Sequence, residues 1–200
     1  MPRPRSNISA RILRAARDRF LVDGVDGASL RRIAREARTN LGMIYYYYPT
    51  KEALFLAVVE QVYVGLLEGT RQALAEAGPL EDKIRRLYER LAHASEDETI
   101  VIRLVVRELL TSSSRRRVLA ERFLRGHIPL MLGAVMGGVQ SGELGAGHPP
   151  AAIGLSIGLL AIFPPLIRRL IDEAGVAAPL PPAEELWPAV LDIALHGAMR

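Results

Sequence analysis

The sequence predicts an all-α fold. Apolar residues recur at three- and four-residue spacing along nearly the whole chain, and no run alternates apolar with polar residues as a half-buried strand does. Proline and glycine gather at only a few places: Pro79, residues 145–150 and residues 179–182. The 200 residues can bury a sizeable core, and 50% hydrophobic with 24% charged residues is a globular composition. About nine helices are expected, with a small N-terminal group of three followed by a larger helical body.

Ile8, Ile12, Ala15, Ala16 and Phe20 place one apolar face on the first helix, which the Asp23-Gly24 and Asp26-Gly27 pairs end. Ser29 is placed to cap a short helix over 30–36, with Leu30, Ile33, Ala34 and Ala37 facing inward. Asn40 caps a second short helix at about 41–47, and Pro49 stops it. Thr50 caps a long helix over 51–77, where Glu52 suits the positive end of the helix dipole. Leu80, Ile84, Leu87, Tyr88 and Leu91 mark 80–94. Segment 96–113 carries a narrow polar stripe (Glu96, Thr99, Arg103, Arg107, Thr111) on an apolar cylinder. Segment 116–141 is expected to break near Pro129. Segments 149–174 and 183–199 close the chain, with Pro164-Pro165 interrupting the first of them.

Residues 149–167 carry no charge and approach the length of a membrane span. The proline pair and the basic flank on one side only favour a helix buried on most sides, part of it covered by a second subunit. Residues 1–6 carry charge without a following apolar run, so no secretory signal fits, and with no cysteine in the chain a cytoplasmic location is expected.

Charge is unevenly placed. Basic residues outnumber acidic ones 26 to 22, and all but Lys51 and Lys83 are arginine. Residues 1–55 hold ten arginines and Lys51 against five acidic residues, a balance of +6, while the remainder is slightly acidic. A basic first quarter on a near-neutral body points to a polyanion partner. Two short capped helices joined by Arg38-Thr39-Asn40 form a helix-turn-helix, with Arg31, Arg32 and Arg35 on the first helix and small and aromatic residues on the second. Such a pair lays its second helix in the major groove while the flanking cations hold phosphates. The run Tyr45–Tyr48 is too crowded for every ring to be buried, so a hydroxyl of Tyr46 or Tyr47 faces DNA or solvent. A stacking platform for single strands is the alternative use of these rings. Arg3, Arg5 and Arg11 are candidates for a basic arm.

The ordered set Ile12-Leu13-x-Ala15-Ala16-x3-Phe20, Gly24, Ser29-Leu30-x2-Ile33-Ala34, Gly42-x-Ile44-Tyr45 and Tyr48-Pro49-x-Lys51-Glu52-x-Leu54 resembles the TetR family of bacterial transcriptional regulators over about residues 8–60. The resemblance implies a three-helix DNA-binding domain at 6–66, with its motif at 29–48, and an effector-binding and dimerisation domain at 67–200. It also implies a homodimer, built through the last two helices, that leaves a double-stranded operator when a small molecule binds the body. By position it implies DNA contacts at Ser29, Arg31, Arg38, Thr39, Asn40 and Leu41, and at Gly42, Met43, Tyr45, Tyr46, Tyr47 and Lys51. The link begins with Arg38 where the family pattern has glycine. Either Arg38 takes a positive φ or the turn has another shape. Leu41 stands where lysine or glutamine is common, and Leu41 and Met43 suit thymine methyl groups.

The body is less specific. Candidates for a pocket wall are Tyr63, Tyr88, His93 and Arg103, with Arg107, His127, Met131 and Phe163. Arg103 and Arg107 are alternatively a solvated stripe paired with Glu96 or Glu108. A mostly apolar lining predicts a small hydrophobic effector, and a regulator without an effector is the alternative. The expected dimer interface holds Gly154, Gly158, Ile162 and Trp187, with Val190, Leu191, Ala194 and Leu195. The four histidines show no metal-ligand spacing, Ser112–Ser114 lacks a nucleophile-elbow context, and no phosphate-binding glycine loop is present. No cofactor, metal or catalytic residue is therefore assigned, and an enzyme on a helical bundle is the disfavoured alternative.

Overall fold

The computed structural model describes residues 5–198 apart from 145–146, 178 and 182, and omits the side chains of 5–6, 113, 183–184 and 194–198. It is all-α. Ten helices lie among the described residues: α1 (Arg5–Gly27), α2 (Leu30–Glu36), α3 (Leu41–Tyr47), α4 (Lys51–Ala75), α5 (Leu80–Ala92), α6 (Glu96–Thr111), α7 (Ser113–Leu124), α8 (His127–Gln140), α9 (Pro150–Ala174) and α10 (Ala183–Ala198).

The tenth helix comes from segment 116–141. The break falls at Arg125-Gly126, before Pro129, and α7 starts at Ser113. Pro129 sits in the first turn of α8, where its missing amide costs no helical hydrogen bond. Pro164 and Pro165 lie inside α9 without ending it.

The chain divides into two compact units, residues 1–65 with 96–119 and residues 66–95 with 120–200. In the first, Ile12, Ala16 and Phe20 of α1 meet Ile33, Ile44, Leu54 and Phe55 in a fully buried core. Phe20 and Phe55 pack edge to face, their centroids 6.1 Å apart. α6 adds Val101 and Leu104 to the buried set.

In the second unit, Leu80, Ile84 and Tyr88 of α5 pack with Val135 of α8, Ile153, Ile157 and Ala161 of α9, and Val190 and Leu191 of α10. The Tyr88 hydroxyl donates to the Ile157 carbonyl at 3.0 Å, which satisfies a polar group in an apolar interior. Burial pushes the Tyr88 phenol up, well out of its ordinary range. Glu143, just after α8, accepts from the Leu80 amide at 2.5 Å and from the Ser141 hydroxyl at 2.7 Å. These hydrogen bonds, Ser141's first and then Leu80's, hold its carboxyl below the usual carboxylate range.

α4 and α9 are each long and apolar enough to cross a membrane by length and composition, a test that core helices of soluble proteins also pass.

Candidate nucleic-acid interface

The first unit is organised around the turn between α2 and α3. The Thr39 amide donates to the Ala34 carbonyl at 2.9 Å and the Arg38 amide to the Arg35 carbonyl at 3.1 Å. This crossed pair is a Schellman motif, and it requires a left-handed residue at the position Arg38 holds. Arg38 adopts φ 52°, the one positive φ at a non-glycine residue among those described. The turn therefore keeps the shape the family pattern needs, and arginine carries the conformation that glycine takes without strain. Arg11 adds a clamp, its Nε donating to the Ala37 carbonyl at 3.0 Å. Arg11 is thus a helical residue holding the end of α2, not part of an arm. The side chains of Arg3 and Arg5 lie outside the described residues.

Asn40 caps α3 as its sequence position predicts: its Oδ1 accepts from the Met43 amide at 2.9 Å. Thr50 does the same for α4 through the Ala53 amide at 3.0 Å. Ser29 has extended backbone at the start of α2, but its exposed side chain makes no capping bond. Ile44 is the buried residue of α3. Tyr48 is half-buried and shares a 2.8 Å hydrogen bond with the Ser9 hydroxyl.

Outward, Tyr45 and Tyr46 are 49% and 66% exposed, and Gly42 lies open beside them. The Tyr46 ring stands edge to face against Tyr47, 5.2 Å between centroids. Leu41, Met43 and Tyr47 are half-buried, as is Thr39. Arg31, Arg35 and Arg38 are exposed. Arg32 is held by Glu36 at 3.2 Å. Residues 29–48 thus set four arginines against one glutamate. Lys51 is half-buried, with Nζ donating to the Asp26 carbonyl at 2.8 Å, which leaves two further N–H donors on its ammonium.

A buried ion network braces the same unit. Arg115 on α7 is 5% exposed and Glu108 on α6 is 2% exposed. The Arg115 Nε donates to Glu108 at 2.5 Å, and a second guanidinium nitrogen donates to Asp26 at 2.7 Å. The same guanidinium lies 3.8 Å from Glu52. Burial opposes the charge on Arg115, but the hydrogen bonds to Asp26 and Glu108 outweigh it and hold the guanidinium above its ordinary value. The Arg115 hydrogen bond holds the Asp26 carboxyl below the usual range.

Sequence reasoning missed this network. Its signal was Glu108, which shares the buried face of α6 with Val101 and Leu104. A carboxylate there demands a cation.

Residues 12–58 match the model of the bacterial regulatory proteins of the tetR family. The N-terminal segment of the chain is therefore of the tetR type. Its curated relatives include the HTH-type transcriptional repressor NicS of Pseudomonas putida, 33% identical over 76 residues that cover 38% of this chain and 36% of the relative. The HTH-type transcriptional regulator RutR of Escherichia coli is 30% identical over 136 residues, covering 66% of this chain and 62% of the relative. The matches thus span less than two thirds of either relative. The solved transcriptional regulator FadR of Bacillus subtilis, in complex with stearoyl-CoA, shares the fold at a TM-score of 0.74 and 21% identity, covering 94% of this chain and 98% of that one.

The remaining predicted residues fall in different places. Tyr63 is buried and Arg103 half-buried in the first unit. Arg107, offered as a pocket wall, is committed to α1: its guanidinium donates to the Leu21 carbonyl at 3.2 Å and to the Phe20 carbonyl. These are carbonyls near the point where Gly24, at φ 76° and ψ 162°, breaks the helical backbone of α1. In the second unit Tyr88 is a core residue and Met131 packs against that core. His93 and Phe163 are exposed, and His127 is half-buried against Phe123, 4.9 Å between ring centroids. Burial, reinforced by Arg122, pushes the His127 imidazole below its ordinary value.

Of the predicted dimer residues, Val190 and Leu191 already face their own subunit's core. Trp187 packs on the same cluster, edge to face with Tyr88 at 5.6 Å between centroids. Val190 and Leu191 are buried within one chain, while Trp187 is half-buried. Gly154, Gly158 and Ile162 are half-buried. The side chains of Ala194 and Leu195 lie outside the described residues. The large apolar residues exposed on these two helices, among those described, are Leu155, Leu159, Phe163, Ile167 and Leu170 on α9 and Ile193 on α10.

Proposed function

We propose that this chain is a cytoplasmic, homodimeric transcriptional repressor that grips an operator with its N-terminal head and leaves it when a small, mainly hydrophobic effector binds the helical body. The head is residues 6–66 and the body 67–200. The reading is carried by the α2–α3 turn: a complete Schellman link presents α3 beside Arg31, Arg35 and Arg38, all exposed on one short motif. That is a phosphate-gripping frame around a groove-sized helix.

Arg31, Ser29, Arg38 and Lys51 hold the backbone of the duplex, while Gly42, Met43, Tyr45 and Tyr46 face the bases. The repressor NicS and the stearoyl-CoA complex of FadR support both the sign of regulation and an effector with a long apolar part. Two heads on a two-fold dimer meet successive major grooves ~34–36 Å apart, so the operator is pseudo-palindromic. The effector acts by binding the DNA-incompetent arrangement more tightly.

The outward apolar residues of α9 and α10 support pairing of two copies there. Because Leu191 is a core residue, an aspartate at that position would unfold the subunit; Leu159→Asp and Ile193→Asp test the pairing instead. The deciding experiment is fluorescence anisotropy on duplexes from the regions flanking the chain's own gene, with and without fatty acyl-CoA. Salt-dependent binding of a palindromic fragment, weakened by the acyl compound, is expected. Indifference to every duplex sinks the DNA reading, and operator binding that no apolar compound relieves sinks the effector.

A further inference from the structure

We infer, resting on the reading of the head as a binder of duplex DNA, that α3 reads its half-site chiefly through the 5-methyl groups of thymine. With Ile44 as the inward direction and 100° per residue, the outward arc runs Tyr45, Gly42, Tyr46, Met43. Exposure follows this order, with Tyr45, Gly42 and Tyr46 open and Met43 half-buried at one edge.

The helix Leu-Gly-Met-Ile-Tyr-Tyr-Tyr holds no arginine, lysine, asparagine, glutamine, aspartate or glutamate. Those are the side chains that pair with the edges of guanine, adenine and cytosine. Asn40, just before it, commits its Oδ1 to the Met43 amide, and a bidentate grip on adenine needs both ends of an amide. A thioether, ring edges and two phenol hydroxyls remain, around a glycine that lets the helix backbone approach the groove floor. On the major-groove edge of a base pair, the feature an apolar surface recognises is the thymine methyl.

The charge complementarity that selects a nucleic acid lies outside α3. Arg31 and Arg35 are on α2 and Arg38 in the turn, all exposed; on this inference they fix the register on phosphates and leave the sequence to α3.

The test uses the full-length protein. Binding sites are selected from a random duplex pool, and each thymine under α3 is then replaced singly by deoxyuridine, which removes only the methyl. Affinity is measured by anisotropy across a salt series. Each contacted methyl should cost about fourfold in affinity, the size of one buried methylene, with the salt slope unchanged. Replacing such a thymine by cytosine should weaken binding, and 5-methylcytosine should recover part of the loss. Tyr45→Phe and Tyr46→Phe should keep the discrimination against uracil.

Selected sites dominated by G·C pairs under α3, or indifference to every uracil, overturn the inference and leave the proposed function standing. Loss of discrimination in the phenylalanine variants also overturns it, because reading would then run through hydroxyl groups. Failure to enrich any sequence overturns the DNA reading itself.

Discussion

Removing the Arg115 guanidinium should be a costly change in the first unit. Its partner Glu108 has a side chain only 3% exposed, and Arg115→Met leaves that carboxylate in the interior with the Arg107 Nε at 3.7 Å as its nearest remaining cation. Stranding one member of a buried pair costs about 3–5 kcal/mol. Arg107 offsets part of this, so a loss of about 3 kcal/mol is expected. The bond to Asp26 adds little, because that carboxylate is solvent-exposed and rehydrates. The double variant Arg115→Met/Glu108→Leu removes both charges and should recover to within about 1 kcal/mol of the parent. Urea midpoints of the four proteins, followed by far-UV circular dichroism at one protein concentration, measure the cycle. A single-variant loss under about 1 kcal/mol, or two losses that simply add, would refute the assignment of Glu108–Arg115 as a desolvated pair.

Three further outcomes follow from the geometry. Arg38→Gly should raise stability by about 0.5–1 kcal/mol, the relief of a left-handed residue less the extra freedom of the unfolded glycine, read from the same urea midpoints. The His127 imidazole is native in its neutral form because burial depresses its proton affinity, so the unfolded chain takes the proton first as pH falls. Stability should therefore decline from about pH 6.5 downward until the folded ring protonates, and His127→Gln should flatten that part of a pH–stability profile. Arg31→Ala and Lys51→Ala should each weaken operator binding, and each should reduce the salt slope by about one; unchanged titrations would show that Lys51 serves only the Asp26 carbonyl.

The head was legible in the sequence because its elements are short and each boundary carries its own chemistry. Ser29, Asn40 and Thr50 stand at the helix starts, Pro49 at a stop, and α2 and α3 occupy the residues the pattern predicts. The apolar face of α5 was equally legible, since Leu80, Ile84, Leu87 and Tyr88 all point inward. Partnership was not legible. A stripe of Trp187, Val190 and Leu191 looks the same whether it meets a neighbouring helix or a second subunit, and here it meets α5 and α9. Arg107 looks like a surface residue of a polar stripe until Phe20 and Leu21, more than eighty positions earlier, present their open carbonyls. Side-chain spacing reports a face; which element meets it depends on contacts distant in sequence.

Arg38 shows how the head divides its energies. A left-handed residue other than glycine costs folding about 1 kcal/mol. A guanidinium at that position stands two residues before the Asn40 cap of α3, and like Arg31 and Arg35 it is exposed. One phosphate contact releases close to one counterion, worth about 1 kcal/mol of binding near 0.15 M salt. The two effects are of equal size, so on the proposed phosphate contact arginine in place of glycine would move free energy from folding to DNA affinity at almost no net cost to the complex. Arg38→Asn separates them: asparagine tolerates the left-handed conformation without carrying charge, so it should keep the turn intact while lowering the salt slope by about one. A slope that stays at the parent value would remove Arg38 from the phosphate contacts and leave its left-handed conformation as an uncompensated cost to folding.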